Sequence, residues 1–295
     1  MSAGPIQLIV PFEAGGGSDE AARTFARYAA PHVDGGIEVV NRTGASGATG
    51  FRDGAAASPD GRTLMLMVAS LIAGPYSGKG YGVDYRDFTP LCLLATMPLV
   101  LCVRADNVLR TFGQALADAT ARPGRLTLGT AGPGTFVELS ARALERATRA
   151  RFSLNAYAGS AAQLRALLSG ELDIAQVSAD EALPLAWAGE MRVLAVLGSM
   201  PSPAMPTVPT TADHGIELNV GFFRGIGAPL GLPEPVAASL QHVCAATAAD
   251  AAYQQHLLRQ GATPRFLAGA AYRAWLDEQD RSFAAAVADA SPENA

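Results

Sequence analysis

Four short stretches of this chain place glycine, hydroxyl and acidic residues where a strand would hand over to a helix. The first is "PFEAGGGSD", Pro11 to Asp19, between the apolar run "IQLIV" and the amphipathic segment "EAARTFARYAA". Glycine loses more freedom on folding than any other residue, so a run of it implies a partner that approaches the backbone too closely for a side chain. A helix start supplies the reason. Its first amides lack internal partners and its macrodipole is positive, which makes an anion seat that needs no lysine or arginine. The same turn also reads as plain capping, with Ser18 as N-cap and Asp19 and Glu20 complementing the dipole.

The second stretch, "LTLGTAGPGTFVEL", repeats the device: Gly132 and Gly134 clear the approach, and Thr135-x-x-Glu138 spells a capping box. In "LDIAQVSADEAL", Ser178 with Glu181, or Asp180, would cap a third helix, although Pro184 blurs where it begins. Ser160-x-x-Gln163, after "AYAG", would cap a fourth. Together they point to a ligand whose negative end is held by amides and hydroxyls.

Other chemistries lack their residues. "GPYSGKG", around Lys79, has neither the glycine spacing nor the hydroxyl of a phosphate loop, "GTAGPG" is not G-x-G-x-x-G, and "GASGA" is not a nucleophile elbow. His32, His214, His242 and His256 show no metal-ligand spacing, and no carboxylate pair stands out. The expectation is a binding protein with no catalytic residue, no metal and no cofactor. The alternative is a small-acid lyase or transferase using Asp19 or Tyr157, for which the chain offers no activated nucleophile or base.

The elements that must hold these turns alternate. "IQLIVPF", "IEVVN" and "TLMLMV" read as strands, and "SDEAARTFARYAAPHV" sets Ala22, Phe25, Ala26 and Ala29 on one helical face. "TPLCLLATMPLVLCVRAD" is a long β-leaning segment leading to a first domain crossing near Arg104. A second alternating block follows, through "FSLNAY", "SAAQLRALLSG", "LDIAQVS" and "MRVLAVLGS". The proline-rich stretch 199–215 reads as a loop, "ELNVGFFRGIGAP" leads back, and two helical patterns close the chain. The expected fold is α/β with two lobes, 1–103 plus 221–295 and 104–220, each a mixed sheet flanked by helices, with the ligand cleft between them.

At 295 residues, 49% hydrophobic and 17% charged, the composition is globular, and a net charge of −5 with no polybasic run argues against nucleic acid. No apolar stretch is long enough to span a bilayer. "MSAGPIQ" has no secretory pattern, so the protein is expected to be cytoplasmic or to have lost a leader. Cys92, Cys102 and Cys244 lie in apolar contexts and are expected as buried thiols.

With those turns in place, the chain resembles the solute receptors of tripartite tricarboxylate transporters, the Bug-type periplasmic binding proteins. The resemblance runs nearly end to end: "VPFEAGGGSDEAAR", "VVNRTGASGATG", "SPDGRTLML", "FTPLCLLATMPLVLCVRAD", "RPGRLTLGTAGPGT", "AYAGSAAQLRALLSGELDIA", "VPTTADHGIEL" and "FFRGIGAPLGLP" follow in family order. It implies a type II periplasmic binding fold, a monomer that closes on a small organic mono- or dicarboxylate and presents it to membrane permease subunits. A receptor that signals to a sensor protein would need the same cleft. The implied ligand-binding positions are Phe12, Gly16, Gly17, Ser18 and Asp19 in one lobe, and Thr130, Ala131, Gly134, Thr135 and Phe136 in the other. Tyr157 and Gly159 belong to the matching "AYAG" loop, and Phe12, Phe136 and Tyr157 would supply apolar walls.

Departures from the family pattern bear on the ligand. Many relatives carry an aspartate where this chain has Val177, followed by Ser178, which disfavours an amino-acid ligand. Relatives often read Pro-Tyr-Lys-Gly where this chain has Ala156 to Gly159, so a cation is missing. Arg224 in "FFRG" resembles a Trp-Arg-Gly version. It would serve as a surface or hinge salt bridge or as a guanidinium fork for a second carboxylate.

Overall fold

The N-terminal apolar run forms β1 (Ile6–Val10) in the computed structural model, which describes residues 4–77, 80–132, 135–218 and 220–287. β1 lies parallel to both β2 (Ile37–Asn41) and β3 (Thr63–Met67). The crossover after β1 is α1 (Gly17–Ala29), which buries Ala22, Phe25, Ala26 and Ala29, the face set by its 3.6-residue period. α2 (Ala48–Ala56) and the short α3 (Ser70–Ala73) flank the same layer.

The spine of the molecule is β4 (Phe88–Arg104). Its first part pairs antiparallel with β9 (Gly221–Pro229) and β10 (Thr263–Ala268), giving the strand order β10-β4-β9-β3-β1-β2. Beyond Pro98 its partners change: Leu99–Arg104 pair with β7 (Ala175–Ser178) and β8 (Met191–Val196). One strand therefore serves both lobes, which explains a run so uniformly apolar, since a strand buried on both faces has no polar side to show. β5 (Thr127–Thr130) and β6 (Ser153–Ala156) pair in parallel, and a bridge between Leu128 and Ile174 joins them to the second lobe's layer.

Helices α4 (Phe112–Ala121), α5 (Phe136–Thr148), α6 (Ser160–Ser169) and α7 (Ala179–Trp187) cover the second lobe. Helices α8 (Glu234–Ala249), α9 (Ala251–Arg259) and α10 (Gly269–Val287) return to the first. A small separate core packs Val100, Cys102, Leu167, Val177 and Val196. The fold is the expected two-lobed α/β arrangement of sheets flanked by helices. The stretch 199–215 holds no strand or α-helix, only a 3-10 turn at Ala212–His214.

Among the elements that escaped the reading of the sequence, along with α2, α3 and α4, two show why. β10 contains Pro264, yet it runs along one side of β4 with a register shift between Pro264 and Leu267, where a missing N–H is tolerated. α9 is a short helix capped by Asp250, whose carboxylate accepts from the N–H groups of Ala252 and Tyr253. Pro184 sits inside α7 instead of marking its start. The three cysteines are buried free thiols. Among the described residues no helix is long and apolar enough to cross a membrane.

Candidate functional site

The glycine turn before α1 is held open by Asp19. Gly15, at φ +82, reverses the chain so that its N–H donates to Asp19 Oδ2 at 2.9 Å. Arg23 Nε reaches the same oxygen at 2.9 Å, and Asn41 Nδ2 donates to Oδ1 at 3.0 Å and to the Phe12 carbonyl at 3.0 Å. Burial opposes ionisation of Asp19, but the bonds from Arg23, Gly15 and Asn41 outweigh it and hold the carboxyl below its ordinary range. Asp19 therefore does not stand at the mouth as a free acid. It is 3% exposed and folded back into its own loop.

The N-cap of α1 is Gly16, not Ser18, and no side chain caps the helix. The N–H groups of Gly17, Ser18 and Asp19 find no acceptor among the described residues, and neither does the Ser18 hydroxyl. A Cβ added at Gly15 would meet nothing within 4 Å, so the turn faces open space. Phe12 closes its floor, edge-on to Phe51 at 6.3 Å.

Arg224 stands beside this uncapped start. A Cβ added at Gly17 would lie 3.7 Å from Arg224 Nη2. The guanidinium makes one hydrogen bond, from Nη1 to the Phe223 carbonyl at 3.1 Å, while its buried Nε has no partner. Among the described residues it forms no ion pair. Burial draws its pKa down, and the Asp180 and Glu181 carboxylates at the start of α7 draw it back up. Asp180 Oδ1 is itself buried without a partner.

Two residues earlier on β9, Phe222 meets the start of α5: its ring lies 5.2 Å from that of Phe136, which also stacks on Phe283 of α10 at 5.3 Å. Phe223, between them, packs on Trp275 at 5.1 Å. The Cα atoms of Phe222 and Arg224 are separated by about 7 Å of strand. The starts of α1 and α5 thus meet one short piece of β9, and the acids of α7 act on the same guanidinium.

Apart from that of Ser18, the hydroxyls expected at a ligand are used inside the protein. Thr130 donates to the Asn155 carbonyl at 3.4 Å, and Thr135 donates to the Gly132 carbonyl at 2.7 Å while accepting from Glu138 N–H at 3.3 Å. Ser178 donates to Glu181 Oε2 at 2.6 Å, which also accepts the Ser178 N–H at 3.3 Å. Tyr157 donates to Glu171 at 3.2 Å, which leaves only its half-buried ring for an apolar wall. Ser160 does not cap α6: Gly159, at φ +102, is the N-cap, and Gln163 turns inward beneath Gly129. Gly159 and Gly132 both open to free space, and Tyr157 N–H donates to the Thr130 carbonyl, which sets the two loops side by side. Ala131 is half-buried in the bend after β5. Gly134 lies outside the described residues, as does Lys79.

Among the described residues the free donors of this site are peptide N–H groups, the Ser18 hydroxyl and one guanidinium, all suited to an anion and none to proton abstraction. Sequence reasoning missed Phe222 here and read Asp180 only as a possible helix cap, not as a neighbour of Arg224. An aromatic residue two places from Arg224 is too common a signal to single out. Among the described residues no cluster of three or more histidines, cysteines or acids could hold a metal.

Comparison with known proteins agrees with this architecture. The family model described as "Tripartite tricarboxylate transporter family receptor" matches residues 21–284. A UPF0065 protein in the tcbD-tcbE intergenic region of Pseudomonas sp. (strain P51) is 31% identical over 275 residues, covering 90% of this chain and 81% of its own. A TctC solute binding protein from Polaromonas, solved without ligand, superposes with a TM-score of 0.82 at 30% identity over 96% of this chain and 98% of its own. MatC from Rhodopseudomonas palustris with bound malate gives 0.80 at 26% identity over 96% of this chain and 98% of its own. Another R. palustris protein, with adipate, gives 0.80 at 28% identity over 96% and 94%.

Proposed function

The chain belongs to the tripartite tricarboxylate transporter receptor family, and from that premise we propose that it is a periplasmic receptor for a small organic carboxylate. It closes its lobes on the ligand and hands it to the permease subunits of a tripartite transporter. The lobes are divided where β4 changes partners, near Pro98, and at the entry into β9, near Gly221, and they move as hinged bodies about these two crossings.

One observation carries this reading: an uncapped, glycine-built helix start lies next to a buried guanidinium whose Nε has no hydrogen-bond partner. A carboxylate at that spot would take the amides of Gly17 and Ser18, with the positive end of α1 behind them. The guanidinium would take the second carboxylate of a dicarboxylate. Malate and adipate, the ligands of two similar structures, both have two such ends. Gly159, Ala131, Thr135 and Phe136 form the facing wall, and Phe12 and the Tyr157 ring supply apolar surface. The donor set supports capture without conversion.

A thermal-shift screen over malate, adipate, succinate, acetate and an uncharged diamide tests this. A ligand that binds only the folded form raises the melting temperature as its concentration passes the dissociation constant. Dicarboxylates are expected to give the largest shifts and the diamide none. Consumption of a ligand over hours would overturn the receptor reading in favour of an enzyme.

A further inference from the structure

Two buried polar atoms have no hydrogen-bond partner although they belong to groups of opposite charge: Arg224 Nε on β9 and Asp180 Oδ1 in the first turn of α7. An uncompensated charge is costly to bury, and an ion pair between the two would be the simple remedy. Among the described residues none joins Asp180 to Arg224, although the carboxylates of Asp180 and Glu181 both attract that guanidinium. The acid and the cation therefore stand within electrostatic range of each other and are not in contact.

Packing fixes Asp180 in this place. β7 ends opposite Leu99 and β10 begins opposite Thr96, so the start of α7 meets the loop that leads into β10. A Cβ added at Gly261 in that loop would lie 2.7 Å from Asp180 Cα, too close for any residue but glycine. Gln260, one place earlier, donates to Glu20 of α1. One loop thus braces the first turns of both α1 and α7, and α1 brings Gly17 against Arg224. The capping of α7 does not occupy Asp180, because the Ser178 N–H and hydroxyl pair with Glu181.

Charge then decides what fits. A carboxylate on the Arg224 guanidinium would be drawn towards Asp180, and the two like charges repel unless a proton lies between them. A hydroxyl on the neighbouring carbon supplies that proton, donating to Asp180 Oδ1 while the carboxylate takes Arg224. A third carboxylate would add charge beside Asp180 with no further cation to meet it. The first arginines along α1 and α5 are already paired, Arg23 with Asp19 and Arg142 with Glu138. We propose that Asp180 is a specificity-determining residue of the glycine-turn site: it selects dicarboxylates that carry a hydroxyl beside the carboxylate held by Arg224, and it rejects tricarboxylates. The inference rests on the receptor function proposed for this chain and names the class of acid that it takes.

The test is calorimetric titration with succinate, malate and tricarballylate, acids that differ by one hydroxyl or one carboxymethyl group. The parent protein is expected to bind malate about tenfold or more tighter than succinate, and tricarballylate more weakly than either. Asp180→Ala should bring malate and succinate to the same affinity, chiefly by weakening malate. Asp180→Asn keeps an acceptor and removes the charge, so it should retain a malate preference and relax the exclusion of tricarballylate. Because Asp180 Oδ1 has no partner to lose, both variants are expected to melt close to the parent. Equal affinity of the parent for malate and succinate, or a malate preference undiminished in folded Asp180→Ala, would overturn this inference and leave the receptor function standing. Failure of the parent to bind either dicarboxylate would remove both.

Discussion

The two glycine turns look alike as strings of residues and differ as helix starts. Before α1, no side chain caps the helix, the acid that could have neutralised the site is folded back by three donors, and an arginine stands against Gly17. Before α5, Thr135 caps the helix in the ordinary way, and what faces the β9 strand is an aromatic ring. Side-chain capping satisfies an amide that would otherwise seek a ligand, so the same motif yields an anion seat in one lobe and chiefly a wall in the other. Glycine content alone does not tell an empty helix start from a filled one.

The largest effect that would break this contrast is at Gly17. A methyl there would make only ordinary contact with Arg224, so Gly17→Ala is expected to be mild. Gly17→Trp is expected to abolish carboxylate binding, with affinity falling more than about a hundredfold by calorimetry and an unchanged far-UV spectrum. If the bulky variant keeps its affinity, the seat is not at α1.

Arg224→Ala comes next. A hydrogen bond to a charged group contributes about 1.5–3 kcal/mol, so dicarboxylate affinity should fall by about ten- to a hundredfold. Monocarboxylates should change much less. Equal losses for the two classes would mean that the guanidinium holds the fold and not a second carboxylate.

Asp19→Ala should act through the loop. It leaves Gly15 N–H and Asn41 without their acceptor and is expected to cost about 1–3 kcal/mol of stability by urea unfolding at neutral pH. The pH dependence has a definite sign. A carboxyl held below its unfolded value, near 3.9, stabilises fully above that value and loses its contribution as pH falls through the lower folded value. The gap between wild type and Asp19→Ala should therefore be full at pH 7 and shrink below about pH 4. A gap that stays constant in acid would remove ionised Asp19 as the cause.

The smallest effect is expected at Thr135. Loss of an N-cap costs about 1 kcal/mol of stability, and because the Thr135 hydroxyl already donates to Gly132, its removal should change affinity by less than about threefold. A loss comparable to that at Gly17 would show that the second turn is a donor site too, and the contrast between the lobes would fail.

Much was legible from the residues alone. Periodicity found β1, β2, β3 and the buried face of α1, because alternation and 3.6-residue spacing are local consequences of burying one side of an element. The apolar run from Thr89 announced a long strand, and glycine between strand and helix announced the turns. Three-dimensional packing decided the rest. The identity of the N-cap at α1, the inward turn of Asp19, the engagement of Thr130, Ser178 and Tyr157, and the placing of Arg224 against Gly17 depend on contacts between residues far apart in the chain or on a choice between local partners. A sequence fixes which groups can donate and accept; which of them are left without a partner is settled only when every neighbour has taken its place.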